Sequence, residues 1–173
     1  MFYFVRHGKT DYSERNTKIY QGFGVNLAPL SDLGVQQIKE TAKDERLKGT
    51  ELILSSPYTR AVQTAAILSK ELGADIVIET DLYECLSNRD FSYDDALVEK
   101  AYREYQTNHG VHPFGKEQVW EDAASIRARV IRVLEKYRHY GKVVIAGHRL
   151  MIQAIAGGDL PQNGEIVEFD LPS

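Results

Sequence analysis

The chain has 173 residues, 43% of them hydrophobic and 27% charged, with a net charge of −4; that is long enough for one domain with a full core and short for two. The acidic balance, with a pI near 5.7, argues against broad nucleic-acid or anionic-membrane binding, which needs a basic face, while leaving room for a small basic pocket. One cysteine, Cys85, excludes an internal disulfide and a multi-cysteine metal site, and no run approaches the roughly 18 apolar residues of a membrane span. The first residues read as an opening strand and not as a secretory leader, so a cytoplasmic protein is expected.

The first strand-like run, residues 2–5 (Phe2-Tyr3-Phe4-Val5), leads straight into Arg6-His7-Gly8. Residues 11–29, rich in Asn, Gly and Tyr, read as a loop. Ser31 suits the N-cap of a helix carrying Leu33, Ile38, Ala42 and Leu47, with Gly49 beyond its end. A strand over 51–55 follows. Ser56 and Pro57 then read as N-cap and first position of a helix that runs to Leu72 and is stopped by Gly73. Its inner face is Ala61, Ala65, Leu68 and Leu72. A third strand covers 75–79.

The stretch 84–116 interrupts this alternation. It is polar and aromatic, with helical spacing from Asp94 to Gln106 (Leu97, Ala101 and Tyr105 on one side), and reads as an insertion over the strand ends that shapes a pocket. The longest helix is predicted from about Glu117 to Tyr140, with Ile126, Val130, Val133, Leu134 and Tyr137 facing inward and Gly141 ending it. Strands over 142–146 and 165–170 complete the pattern. Strands alternating with helices predict an α/β fold over 1–173: a three-layer sandwich with a mostly parallel central sheet and helices on both faces.

In such sheets, side chains at the carboxyl ends of strands line the ligand crevice. His7 directly follows the first strand, and His148 follows Val143-Val144-Ile145-Ala146-Gly147. Arg60 lies just past the 51–55 strand, where a helix N-terminus adds partial positive charge. Two histidines and the two arginines Arg6 and Arg60, brought to strand ends, suit a phosphoryl group. Arginine holds it through a planar, permanently charged fork. A core histidine and a surface arginine are the plainer readings of each residue alone. No metal is expected: there is no His-Glu-x-x-His, and His109 and His112 flank Gly110 and Pro113 in a loop. Cys85 and Trp120 read as packing residues.

Taken in order, Arg6-His7-Gly8 with Thr10, Gln21-Gly22, Pro29-Leu30-Ser31 with Gly34 and Gln37, Ser55-Ser56-Pro57-Tyr58-Thr59-Arg60-Ala61-Val62-Gln63-Thr64-Ala65, Leu82-Tyr83-Glu84, Pro113-Phe114-Gly115 and Gly147-His148 resemble the histidine phosphatase superfamily. The match spans nearly the whole chain, and the phosphoglycerate-mutase-like fold comes with it. The resemblance implies that His7 is the nucleophile, forming a transient phosphohistidine. It makes Arg6, Arg60 and His148 the holders of the phosphoryl oxygens and Glu84 the general acid and base, with Asp90 and Asp94 as alternates. It implies no cofactor and no metal.

The chain departs from the family pattern in places. Lys9 and Ser13 stand where the family usually has Glu or Gln and Asn, and Asn16 is a second candidate for that amide. Arg149 and Leu150 replace two small residues after the second histidine; the Arg149 N–H can still cap phosphate, and its side chain either reaches substrate or points away. No Gly-x-x-Glu-Gly follows Glu84. Substrate contacts are thus expected from Thr10, Ser13, Asn16, Gln21, Gly22 and Arg149. Arg15, Lys18, Arg89 and Arg103 are candidates for an acidic substrate, and Tyr12, Tyr20, Phe91 and Tyr93 for a ring.

The leading expectation is a metal-independent phosphatase acting on a small phosphorylated metabolite. Phosphoglycerate-mutase-type transfer, a phosphohistidine protein phosphatase and a catalytically silent phospho-ligand module stand behind it. Neither nucleic acid nor membrane is an expected partner, and oligomeric state is not legible.

Overall fold

The computed structural model describes residues 1–88 and 93–171. Five strands, β1 (Phe2–Arg6), β2 (Leu52–Ser55), β3 (Asp75–Ile78), β4 (Val143–Gly147) and β5 (Ile166–Phe169), form one sheet in the order β3-β2-β4-β1-β5. All pairs are parallel except β1 with β5. The central strands β2 and β4 are buried at every position, which is why they read as unbroken apolar runs.

Side chains alternate across the sheet with the period of a strand. On one face Val5, Ile53, Val144 and Ala146 pack under α1 (Asp32–Thr41) and α2 (Thr59–Leu72), with Ile38, Ala65 and Leu68 as their partners. On the other, Phe4, Leu54, Val143 and Ile145 meet α3 (Asp95–Thr107), α4 (Ala123–Lys136) and α5 (Arg149–Ala156) through Ala101, Val130, Val133, Leu134, Met151 and Ile152. Each fully buried aliphatic side chain of this kind contributes about 1.5–3 kcal/mol. The expected three-layer, mostly parallel architecture is therefore the one observed.

Several boundaries differ from expectation, each for a local reason. The first helix ends at Thr41, whose hydroxyl is drawn to the Gln37 carbonyl (3.0 Å) and to Gly164 O (2.8 Å). Leu47 is buried from a separate 3₁₀ turn, Glu45–Leu47, while Leu33 faces solvent. Ser56 is not the cap of α2, which begins at Thr59; its hydroxyl is committed to the site described below. The long helix starts at Ala123, not Glu117, because the Asp122 carboxylate accepts from Ser125 N (2.7 Å) and ends the approach. The sequence reading contains no counterpart of α5. That helix has only eight residues, fewer than the window of about 11–18 over which helical spacing is read, so its buried Leu150, Met151, Ile152 and Ile155 do not stand out as a period.

Candidate active site

The site follows from strand register. β1 and β4 run parallel with Arg6 opposite Gly147, and the ladder extends one step further as His7 N donates to Gly147 O (3.0 Å). His7 and His148 therefore leave adjacent strands at the same level. Their rings lie 5.2 Å apart, inclined at 65°. β2 flanks β4 on the other side, and Ser56 N donates to Ala146 O (3.1 Å). The first turn of α2 is thereby set over the same spot, and Arg60 Nε reaches His7 Nε2 at 3.3 Å.

These contacts fix the tautomer of His7. Its Nδ1 lies 2.8 Å from the Gly8 carbonyl, which can only accept, so Nδ1 carries the proton. Nε2 faces an arginine N–H, which can only donate, so Nε2 presents its lone pair. Behind it, His148 is fully buried, edge-on to Tyr58 (5.2 Å), with Nε2 2.7 Å from Ser56 Oγ. Three buried polar atoms of the expected residues, Arg6 Nε, Thr10 Oγ1 and His148 Nδ1, have no hydrogen-bond partner in the protein.

The loop after β1 is held by residues whose purpose was unread in the sequence motif. Gly8 N donates to Thr64 Oγ1 (3.3 Å), and that hydroxyl donates to Arg60 O (2.8 Å). Lys9 N donates to Gln37 Oε1 (2.8 Å) and Leu30 N to Gln63 Oε1 (2.6 Å). Loop and α1 also meet backbone to backbone. A Cβ on Gly8 would lie 2.4 Å from Gly34 O, and one on Gly34 would lie 2.2 Å from Lys9 O. Only glycine fits at both positions.

Around His7 opens a cavity of about 440 Å³, within the usual range for a small-molecule site. Arg6, Thr10, Arg60, Glu84 and Arg149 line it, together with Lys9, Arg15 and Asn163 and a wall of Tyr12, Tyr93, Tyr102, Tyr105 and Trp120. The segment 84–116 contributes through α3, whose Val98, Ala101, Tyr102 and Tyr105 face the cavity. Ser13, Asn16, Gln21 and Gly22 do not line it. Ser13 N is turned to Asp11 (2.9 Å), and Asn16 Nδ2 donates to Asp95 (3.0 Å). Gln21 and Gly22 begin a 3₁₀ turn on the outer side. Lys18 and Arg103 pair with Glu14 and Glu99 on the surface.

Glu84 is positioned by backbone. Its Oε1 accepts from Cys85 N (2.9 Å) and Met151 N (3.2 Å), and Oε2 accepts from Leu150 N (3.4 Å). The carboxylate thus sits on the N-terminus of α5, where its charge is favoured, with an edge in the cavity. Asp94 instead caps α3 through Ala96 N and Leu97 N. Asp90, Arg89 and Phe91 lie outside the described residues. Among the described residues, no group of three or more His, Cys, Asp or Glu side chains is placed to hold a metal ion, and no helix is long and apolar enough to cross a membrane.

Two asparagines and one ion pair were missed in the sequence. Asn26 accepts from Arg60 (3.2 Å), and Asn163 donates to His7 O (2.8 Å); a lone loop asparagine gives no signal. The third is the buried pair Arg129–Glu121. Its signal was an arginine on the apolar stripe of a helix, between Ile126 and Val133.

Burial, then the charge of Arg60, holds the His7 pKa down to about 3, against the raising effect of the Gly8 carbonyl; Arg6 and Arg149 push the same way. His148 is lowered well below its ordinary value by burial first and Arg60 next. Both imidazoles are neutral at physiological pH, as a nitrogen nucleophile requires. A cost follows on acidification. Below pH 6.5 the unfolded chain protonates His7, while the folded protein refuses that proton until about pH 3. The stabilisation is therefore complete above pH 6.5 and drains away as pH falls through that window, at about 1.4 kcal/mol per pH unit for one histidine. Urea unfolding in phosphate-free buffer is expected to show this decline between pH 7 and pH 4.5, and a shallower one in His7→Gln. An identical slope in that variant would mean that His7 is not buried in its neutral form.

Residues 2–163 match the family model for the histidine phosphatase superfamily (branch 1). A Hydrogenobacter thermophilus protein provisionally named phosphoserine phosphatase 2 is 29% identical over 88% of this chain and 75% of its own length. An uncharacterized phosphatase of Bacillus subtilis is 29% identical over 90% of this chain and 77% of its own. In fold, the chain is similar to a mycobacterial glucosyl-3-phosphoglycerate phosphatase (TM-score 0.67, 22% identity, 95% of this chain and 88% of that one). It is also similar to a phosphoglycerate mutase of Thermus thermophilus (TM-score 0.63, 24% identity, 99% and 93%). With the family model covering nearly its whole length and relatives named as phosphatases and phosphoglycerate mutases, this chain belongs to the histidine phosphatase superfamily.

Proposed function

We propose that the protein is a metal-independent phosphatase that hydrolyses a small phosphomonoester through a phosphohistidine on His7. The observation that carries this reading is the unprotonated Nε2 of His7, at the border of a cationic cavity, with the ring fixed by a carbonyl on one side and by an arginine on the other whose N–H can pass to a phosphoryl oxygen. Nε2 attacks phosphorus while the ester P–O bond breaks. Glu84 gives the departing oxygen its proton, then takes a proton from the water that attacks phosphorus and breaks the P–N bond. Inorganic phosphate leaves and His7 is restored. Arg6, Arg60 and the backbone N–H of Arg149 stabilise the charge on the equatorial oxygens, and His148, whose Nδ1 has no partner in the protein, hydrogen-bonds one of them. Thr10 and Asn163 complete the cradle. None of these steps calls on a metal.

Phosphoglycerate-mutase-type transfer is the second reading, favoured by the mutases among the relatives. It differs in one product: a mutase returns the phosphoryl group to the substrate, whereas a phosphatase releases it. Quenching turnover of a radiolabelled phosphomonoester is expected to trap acid-labile, base-stable label on His7. Phosphate release is expected to continue steadily and to be unaffected by EDTA. Isomerised phosphoester without free phosphate would favour the mutase. Activity lost to EDTA and restored by Mg²⁺ or Zn²⁺ would overturn the mechanism.

A further inference from the structure

The phosphoryl site and the pairing of Arg15 with Asp95 leave two cations of the cavity, Lys9 and Arg149, without work, and of these Arg149 is the one held against an aromatic ring. Arg149 opens α5, and its guanidinium lies over the ring of Tyr102, 4.2 Å from the centroid. Tyr102 belongs to α3, so the arginine is held by a segment that walls the cavity. It makes no salt bridge or hydrogen bond to a carboxylate among the described residues. Burial first, and the nearby charge of Arg149 next, push the Arg6 pKa down. Two guanidiniums lining one cavity repel one another, an arrangement that favours an anion brought between or beside them.

The balance of charge points the same way. Among the described residues, five cationic side chains, Arg6, Lys9, Arg15, Arg60 and Arg149, line the cavity against one carboxylate, Glu84. Arg15 is neutralised by Asp95, to which it is bonded from the loop side. Three net positive charges remain, and a phosphoryl dianion accounts for two. The cavity of about 440 Å³ is also several times larger than a phosphoryl group needs. The rest of the substrate therefore extends along the aromatic wall on which Arg149 rests.

We infer that Arg149 is a specificity-determining residue that binds a second anionic group, a carboxylate or second phosphate, on the non-phosphoryl part of the substrate. The inference rests on the phosphatase reading above and names the substrate class of that site: small phosphomonoesters with two anionic ends. Arginine suits the task because its fork reads carboxylate and phosphate alike in bidentate geometry. Stacking on Tyr102 also removes much of the side-chain freedom that binding would otherwise have to freeze.

The test compares kcat/KM for matched pairs that differ only at the second group: 3-phosphoglycerate with glycerol 3-phosphate, and fructose 1,6-bisphosphate with fructose 6-phosphate. At least one pair is expected to favour the doubly anionic member by tenfold or more, and which pair does so identifies the second group as carboxylate or phosphate. In Arg149→Met that ratio is expected to fall to within threefold of one, and Arg149→Lys is expected to recover part of it. Tyr102→Leu, which frees the guanidinium without removing it, is expected to lower the ratio and provides the test should Arg149→Met fail to fold. Ratios near one for both pairs in the wild-type protein, or a ratio that survives Arg149→Met, would overturn the inference while leaving the phosphatase reading intact. No phosphate release from any of the four compounds or from p-nitrophenyl phosphate would instead remove the reading beneath it.

Discussion

Phosphate release by His7→Ala is expected to fall more than about 10³-fold, a loss of at least ~4 kcal/mol of transition-state stabilisation. The size of the effect comes from the absence of a substitute. His148 is fully buried and its Nε2 is engaged by Ser56. The Cys85 thiol, which also lines the cavity, has its pKa pushed well up by burial first and by Glu84 and Glu121 next. It therefore stays protonated and a poor nucleophile. The fold is expected to survive. The backbone of residue 7 keeps its bonds to Gly147 and Asn163 whatever the side chain, and removing the embedded imidazole also removes its acid penalty. The variant should thus unfold at nearly the wild-type urea concentration at pH 7 and lose less stability at pH 5. Turnover above a few per cent in well-folded His7→Ala would mean that another group attacks phosphorus.

What could be read from the sequence and what could not follow from how each signal is carried. The sheet was legible because β2 and β4 are buried on both faces and leave unbroken apolar runs. The pairing of His7 with His148 was legible because both residues directly follow such runs, and parallel register then sets them level. The α5 helix was not legible, because its eight residues are too few for a helical period to stand out. The loop residues Ser13, Asn16, Gln21 and Gly22 show the opposite problem. Their types suit phosphate contacts, but the direction a loop turns is decided by distant partners. Asp95, on α3, holds Arg15 and Asn16, and nothing within residues 11–29 foretells it. Gln37, Gln63 and Thr64 were quoted as motif residues, yet their contribution is to tie backbone amides of the loops around Gly8 and Leu30. A motif says that residues are needed together without saying which of them meet the substrate.

Arg129 supplies the second large effect, and it separates holding Glu84 from merely stabilising the fold. Arg129 and Glu121 form a bidentate pair (2.7 and 3.0 Å) with side chains 4% and 11% exposed. Removing one partner leaves the other charged and buried, so Arg129→Ala is expected to cost about 3–5 kcal/mol, read as a lower urea midpoint. Arg129→Met combined with Glu121→Leu removes both charges and is expected to recover most of that loss. The pair also clamps the chain around Glu84. Arg129 Nη1 donates to Asp81 O (2.6 Å) and its guanidinium lies 3.7 Å from the centroid of the Tyr83 ring, while Glu121 Oε2 accepts from Leu86 N (3.2 Å). The double variant therefore regains stability without regaining the clamp. If Glu84 protonates the leaving group, kcat in that variant should fall by an order of magnitude or more with an alkyl phosphate, whose leaving oxygen needs a proton. With p-nitrophenyl phosphate, whose leaving oxygen departs without one, it should fall far less. An equal loss with both substrates would show that the clamp serves the fold alone and that the acid lies elsewhere.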